Sequence, residues 1–163
     1  MTITAQFSIH YTQYLDRLGQ LTQELPSFAT DTQALIALYQ WMSLTRCFDT
    51  KAIALQRTGQ LGTYPSVLGQ EAVGVGIAAA MQPDDILCPT YREPGAQLYR
   101  GVSMSELFAY WGGDERGNQY RDNSADFPIC VPIATQCLHA AGVAAAIKYR
   151  QQKQVVVAVC GDG

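Results

Sequence analysis

The spacing of apolar residues predicts that most of the chain from residue 31 onward is helical. Thr30 or Asp31 can cap a helix, in one piece or two, that runs to Gly59. The residues before this helix, 1–30, are predicted to form an extended N-terminal arm. Further helices follow, one of them starting at a Ser-x-x-Glu capping box, over 70–81, 103–112 and 138–150.

Two short apolar runs predict β-strands between these helices. The first covers 86–89, and the second covers 155–160, where β-branched residues follow one another almost without interruption. Such a run is typical of a central strand that is covered on both faces. The order of helix, short strand, helix and buried strand predicts an α/β fold. The polar stretch 112–128 is predicted to be a surface loop, long enough to cover another part of the protein.

Composition and charge narrow the class of protein. The 163 residues are 48% hydrophobic and 15% charged, which fits a folded domain and argues against disorder. The net charge of −3, without a basic run, argues against binding of nucleic acid. No apolar stretch reaches the roughly 18 to 20 residues that span a bilayer, so no membrane partner is expected. The cysteines are widely spaced, with no disulfide or zinc pattern, which predicts reduced thiols in a cytoplasm.

The second predicted strand runs directly into Gly161-Asp162-Gly163. Glycines at the carboxyl end of a parallel strand let the backbone approach a phosphate group closely. A carboxylate between those glycines, Asp162, is well placed to hold Mg²⁺ bridged to phosphate oxygens. Because Gly-Asp-Gly is a common tripeptide, a purely structural turn is the alternative interpretation.

A second candidate site follows the first predicted strand. Arg92 can bind a phosphate or carboxylate through two parallel hydrogen bonds, and Tyr91 can add a hydroxyl donor. The alternative is a surface arginine that pairs with Glu93 or another acid. The two histidines, His10 and His139, are isolated from each other, and neither is assigned a catalytic role.

Seven short motifs occur together in a fixed order: Gly-Gln-Glu-Ala (69–72), Pro-Asp-Asp (83–85), Pro-Thr-Tyr-Arg-Glu (89–93), Arg-Gly-Val (100–102), Ala-Ala-Gly-Val-Ala (140–144), Lys-Tyr-Arg (148–150) and Val-Cys-Gly-Asp-Gly (159–163). In this order and spacing, the chain from residue 31 to residue 163 resembles the alpha subunit of the thiamine-diphosphate-dependent decarboxylating component of 2-oxo acid dehydrogenase complexes, of the bacterial type. The resemblance implies the thiamine-diphosphate-binding fold, in which helices flank a parallel sheet.

The same resemblance implies roles for particular residues. Tyr91 and Arg92 match the pair that holds the diphosphate. Gly161, Asp162 and Gly163 match the opening of the thiamine diphosphate motif, with Asp162 as the Mg²⁺ ligand. Val131 and Ile133 fall where backbone groups of the family face the aminopyrimidine ring. No residue of this chain is implied to be catalytic, because the activating glutamate of the family belongs to the beta subunit.

The activity that the resemblance implies is oxidative decarboxylation of pyruvate, with transfer of the acetyl group to the lipoyl group of an acyltransferase component. A branched-chain 2-oxo acid or acetoin dehydrogenase is the alternative that keeps the cofactor. A non-catalytic interaction subunit of the same fold is a second alternative. A nucleotide-binding domain would need Gly-x-Gly-x-x-Gly or a P-loop, and neither motif occurs here.

The implied partners are a beta subunit, in an α2β2 heterotetramer, the lipoyl-bearing acyltransferase and a 2-oxo acid, in a bacterial cytoplasm. Residues 31–163 are expected to be the N-terminal part of the cofactor-binding domain, incomplete at the C-terminal end, because a strand and glycine turn normally feed a helix. The chain by itself is therefore expected to bind the cofactor poorly and to be inactive.

Overall fold

The computed structural model of the chain describes residues 4–122 and 125–161. Contacts divide the chain into two compact units, with the boundary after Ile36. In the first unit, Leu15 and Leu21 form a single antiparallel bridge. The Asp16 carboxylate accepts two hydrogen bonds of 2.8 Å from backbone N–H groups of the turn between them. A 3₁₀ helix, Ser27–Thr30, ends just before the first α-helix.

The first α-helix, α1, is one continuous helix over Thr32–Arg57. Of the two predicted capping residues, Thr30 and Asp31, it is Asp31 that caps α1. The Asp31 carboxylate accepts hydrogen bonds from the backbone N–H groups of Gln33 (2.9 Å) and Ala34 (3.2 Å). Gly59 follows its end with a φ of 73°, a left-handed conformation that glycine adopts without strain.

The remaining helices lie in the second unit and include a short one that the sequence does not predict: α2 Glu71–Ala80, α3 Pro94–Tyr99, α4 Met104–Trp111 and α5 Thr135–Tyr149. The capping box of α4 is confirmed, since Ser103 Oγ accepts from the Glu106 N–H while the Glu106 carboxylate accepts from the Ser103 N–H. The start of α5 lies at Thr135, before the predicted residue 138. Across the described ranges, no helix has both the length and the hydropathy needed to cross a membrane.

The two strands confirm the predicted α/β fold with a parallel sheet flanked by helices. β1, Ile86–Cys88, pairs in parallel with β2, Val156–Ala158, and the register places Leu87 opposite Val157. α5 packs against both strands. The prediction that the second strand is covered on both faces is wrong for the described residues: Ala158 is exposed, and Val155 just before the strand is 55% exposed.

Two hydrophobic clusters form the core of the second unit. The larger one joins α1 to α4, with ring centroids of Phe48 and Phe108 4.6 Å apart, and buries Leu107 completely. The smaller one surrounds the fully buried Leu87 of β1 and includes Ala96 of α3. Leu87 of β1 is thus packed against Ala78 of α2 and Ala96 of α3.

The polar stretch 112–128 is largely exposed, as its composition predicts, but its described residues do not form a plain loop. It contains a 3₁₀ helix, Glu115–Asn118, and it buries Tyr120 and Asp126. Asp126 forms an ion pair with Arg100 and also accepts a hydrogen bond of 2.8 Å from the Leu87 N–H. Asp126 is therefore bound to Arg100 by an ion pair and to β1 by the hydrogen bond from the Leu87 backbone.

An ion pair between Arg46 of α1 and Glu71, the first residue of α2, joins these two helices. Glu71 also accepts a hydrogen bond of 3.1 Å from the Gly69 N–H. The hydrogen bond from Arg46 is the main cause that lowers the pKa of Glu71 from 4.5 to about 2. A carboxyl group whose pKa is lower in the folded state contributes stability above its unfolded pKa and loses that contribution as the pH falls through its folded pKa.

We therefore expect Glu71→Gln to remove a stability contribution that the wild type keeps at pH 6 and loses between about pH 4.5 and pH 2. The difference in free energy of unfolding between wild type and variant should shrink as the pH falls through this window. Urea unfolding at pH 6, 4 and 3 measures the difference. A difference that is the same at all three values would contradict the assigned ion pair.

Candidate functional site

Parallel pairing of β1 and β2 places the residues that directly follow each strand at the same edge of the sheet. The pairing continues past the strands, since the Val159 N–H donates to the Cys88 carbonyl over 3.3 Å. Tyr91 and Arg92 follow β1, and Gly161 follows β2. Carboxyl ends of neighbouring parallel strands form the crevice in which α/β proteins bind ligands.

Arg92 is exposed, and its guanidinium carbon lies 5.0 Å from the centroid of the half-buried Tyr91 ring. The Arg92 Nη1 donates to the Tyr91 hydroxyl over 3.4 Å. The pairing of Arg92 with Glu93 that the sequence allows does not form, and within the described residues Arg92 makes no ion pair. A guanidinium beside a hydroxyl, with no carboxylate bound, is a donor set that suits a phosphate group.

The conformation of this turn is fixed by Glu93, a residue whose role the sequence analysis missed. The buried Glu93 carboxylate accepts hydrogen bonds of 2.6 Å from both the N–H and the hydroxyl of Thr90. The Thr90 hydroxyl oxygen in turn accepts from the Arg92 N–H over 3.2 Å. Thr-x-x-Glu is the spacing of a capping box, and this local signal could have revealed the pair.

The segment before α5 reaches the same edge of the sheet. Val131 and Ile133 are exposed, at 48% and 80%, and Ala134 bends the backbone with a φ of 68°. Gln136, the second residue of α5, donates from Nε2 to the Val159 carbonyl over 2.6 Å. This hydrogen bond joins the start of α5 to the end of β2, so the exposed segment lies beside the end of β2.

Gly161 is exposed and is the last described residue of the predicted metal-binding turn. Asp162 and Gly163 lie outside the described residues. Within 4–122 and 125–161, no three His, Cys, Asp or Glu side chains come together in a way that could hold a metal ion. The predicted magnesium site therefore depends on Asp162.

His139 and Cys88 are the histidine and the thiol that follow or precede the candidate segments, and both have packing contacts. His139 is exposed and packs against the Phe127 ring, with centroids 5.4 Å apart. Burial raises the pKa of the Cys88 thiol to about 11, which keeps it protonated at neutral pH.

The family to which these features belong is shown by comparison with known proteins. The family model described as dehydrogenase E1 component matches residues 39–163, which is most of the chain. The chain belongs to this family, and the resemblance expected from the seven motifs is confirmed.

Curated relatives carry two kinds of name. The pyruvate dehydrogenase E1 component subunit alpha of Mycoplasma genitalium is 34% identical over 151 residues, covering 93% of this chain and 42% of the relative. The protein of the same name from Acholeplasma laidlawii is 37% identical over 148 residues, covering 91% and 43%. The 3-methyl-2-oxobutanoate dehydrogenase subunit alpha of Mycobacterium tuberculosis is 41% identical over 126 residues, covering 77% and 34%. The chain spans less than half the length of these relatives.

Proposed function

We propose that the chain is the N-terminal part of the alpha subunit of a bacterial pyruvate dehydrogenase, with its domain completed by residues that follow 31–163. The observation that carries this proposal is the convergence of the Tyr91-Arg92 turn and Gly161 at one edge of the parallel pair. The family match over 39–163 and the names of two relatives support it. The reaction is then oxidative decarboxylation of pyruvate with transfer of an acetyl group to a lipoyl group.

The cofactor in this proposal is thiamine diphosphate with Mg²⁺. The exposed guanidinium of Arg92 and the hydroxyl of Tyr91 fit a diphosphate. Asp162 would hold the metal ion, between Gly161 and Gly163, whose lack of side chains lets the backbone approach the phosphates. The cofactor, when bound, supplies an electron sink for loss of carbon dioxide from a 2-oxo acid.

The other residues of the chain bind and orient the cofactor. The backbone groups of Val131 and Ile133, in the exposed segment before α5, would face the aminopyrimidine ring. Arg92 neutralises diphosphate charge, and Glu93 keeps the Tyr91-Arg92 turn in one conformation through Thr90. None of these residues moves a proton in the reaction, and we propose that a beta subunit supplies the acid–base group.

The partners in this proposal are the beta subunit, in an α2β2 heterotetramer, and a lipoyl-bearing acyltransferase. A cytoplasmic location remains part of the proposal, supported by five cysteines that are all free thiols. In this proposal the chain alone would bind thiamine diphosphate weakly and would be inactive, because the beta subunit contributes to the site.

The function is tested by 2-oxo acid-dependent reduction of an artificial electron acceptor. The gene product that carries this chain is co-expressed with its beta subunit, and pyruvate, 3-methyl-2-oxobutanoate and acetoin are compared with and without thiamine diphosphate and Mg²⁺. We expect activity that depends on the cofactor and is highest with pyruvate. A folded heterotetramer without activity on any of the three would favour a non-catalytic subunit.

The second candidate function is a branched-chain 2-oxo acid dehydrogenase alpha subunit. The 41% identity to the Mycobacterium tuberculosis relative, over 126 residues, favours this alternative. Highest activity with 3-methyl-2-oxobutanoate in the same assay would establish it, and highest activity with acetoin would establish an acetoin dehydrogenase.

A variant of Glu93 tests the proposed role of the Tyr91-Arg92 turn. We expect Glu93→Ala to weaken thiamine diphosphate binding about tenfold, because the two Thr90 donors lose their acceptor and the turn is no longer fixed. Glu93→Gln keeps an acceptor oxygen and should stay within about threefold of wild type. Isothermal titration calorimetry on the alpha–beta complex measures both, with the exposed Glu115→Ala as control. Equal affinity of Glu93→Ala and wild type would contradict this role.

A further inference from the structure

Gln136 combines deep burial with an unusual hydrogen-bonding pattern. Its side chain is 2% exposed at the start of α5, where a hydrophobic residue would avoid the burial of a polar amide. Its Nε2 donates to the Val159 carbonyl over 2.6 Å, while its Oε1 has no hydrogen-bond partner in the described part of the chain. A buried amide oxygen without a hydrogen-bond partner costs free energy of desolvation.

Val159, the hydrogen-bond partner of Gln136, lies at the carboxyl end of β2. The Val159 N–H donates to the Cys88 carbonyl of β1, and its carbonyl accepts from Gln136. Val159 is therefore held from both β1 and α5, two residues before Gly161. The backbone immediately before α5 is also constrained, since Ala134 adopts a φ of 68°, which a residue with a Cβ seldom does.

We propose that Gln136 is a positioning residue that fixes the carboxyl end of β2 relative to β1. Through Val159 it sets the place where the chain leaves the sheet at Gly161, beside the Tyr91-Arg92 turn. This inference rests on the proposed function for its effect on cofactor binding. The effect on the backbone of 159–161 does not depend on that function.

A second glutamine provides a matched control at the opposite end of the same strands. Gln154 Nε2 donates to the Asp84 carbonyl, which precedes β1, over 2.7 Å. The bond has the same chemistry and nearly the same length, but it lies at the amino ends of the strands. Because Gln154 lies at the other end of the strands, its replacement should leave amide exchange over 159–161 unchanged even where it lowers overall stability.

The experiment compares Gln136→Met, Gln136→Glu and Gln154→Met in the alpha–beta complex. Amide hydrogen exchange over 159–161 is measured without cofactor, and thiamine diphosphate affinity is measured by calorimetry with Mg²⁺ present. We expect Gln136→Met to speed exchange at 159–161 at least tenfold and to raise the dissociation constant about tenfold. Gln154→Met should leave both values within about twofold of wild type.

Gln136→Glu adds a second measurement, the pH dependence of thiamine diphosphate affinity, which a general loss of packing would not change. An ionised carboxylate cannot donate to the Val159 carbonyl, whereas a protonated carboxyl can donate through its O–H. Burial at this position, where Gln136 is 2% exposed, raises the pKa of an introduced carboxyl above its ordinary value. Affinity relative to wild type should therefore recover as the pH falls from 8 to 6 in Gln136→Glu, and it should not do so in Gln136→Met.

The outcomes separate this inference from the proposed function. Unchanged exchange and affinity in Gln136→Met would overturn the inference, and so would equal effects of Gln136→Met and Gln154→Met. Failure of the wild-type complex to bind thiamine diphosphate would overturn the proposed function, and the exchange data would still decide whether Gln136 fixes the end of β2. Should Gln136→Met not assemble, the pH dependence of Gln136→Glu decides the question.

Discussion

Replacement of Asp126 by alanine is expected to lower the free energy of unfolding by about 3–5 kcal/mol, the largest stability effect of any single change considered. The Asp126 carboxylate accepts hydrogen bonds from Arg100 Nε over 2.6 Å and from Arg100 Nη2 over 3.0 Å. Both side chains are at most 5% exposed. Alanine would leave the Arg100 charge buried without its carboxylate and would remove the acceptor of the Leu87 N–H. Loss of one partner of a buried ion pair is more harmful than loss of both.

Asp114 provides the matched control, because it pairs with Arg116 at the surface over 2.6 Å. The side chains of this pair are 39% and 84% exposed, so Asp114→Ala should lower the free energy of unfolding much less than Asp126→Ala does. Urea unfolding followed by tryptophan fluorescence measures both variants. A change in Asp126→Ala no larger than that in Asp114→Ala would show that the buried pair contributes no more to stability than the surface pair.

Replacement of Arg92 by alanine is expected to weaken thiamine diphosphate binding by roughly 10- to 100-fold, the largest effect on the site among the described residues. The exposed guanidinium is the cation offered by the turn after β1, and no carboxylate within the described residues pairs with it. Hydrogen bonds to charged groups contribute about 1.5–3 kcal/mol each, which corresponds to this range. Stability should change by less than about 0.5 kcal/mol, as is usual for an exposed side chain.

Two further variants, Arg92→Lys and Arg150→Ala, are compared with Arg92→Ala. Arg92→Lys keeps the charge but loses the planar pair of donors, so its affinity should lie between those of wild type and Arg92→Ala. Arg150→Ala removes an exposed charge just after α5, at the end of the helix away from Gln136, and should leave affinity within about twofold. Calorimetric titration of the alpha–beta complex measures all four proteins. Equal thiamine diphosphate affinities of Arg92→Ala and Arg150→Ala would show that Arg92 does not bind the cofactor.

Elements with local signals were predictable from the sequence. The start of α4 follows from Ser103 and Glu106, and the end of α1 follows from Gly59. α3 was missed because its six residues are too short for a periodic pattern, and those from Pro94 to Leu98 are all buried. The burial of Asp126 was missed because its partner, Arg100, lies far away in sequence, and only the fold brings the two together.

The same distinction applies to the candidate site. Tyr91, Arg92 and Gly161 could be predicted because each follows an apolar run, and parallel strands end at one edge of a sheet. Glu93 had a local signal in its spacing from Thr90. The hydrogen bond from Gln136 to Val159 had none, because it joins residues from two elements whose packing depends on the whole domain.

The proposed function requires that the edge formed by the ends of β1 and β2 binds thiamine diphosphate. Calorimetric titration of thiamine diphosphate into the wild-type alpha–beta complex measures this binding, with Mg²⁺ and with a chelator in its place. We expect saturable binding, one cofactor for each alpha subunit, that is much weaker without the metal ion. A folded complex that takes up no thiamine diphosphate in the presence of Mg²⁺ would contradict the proposed function.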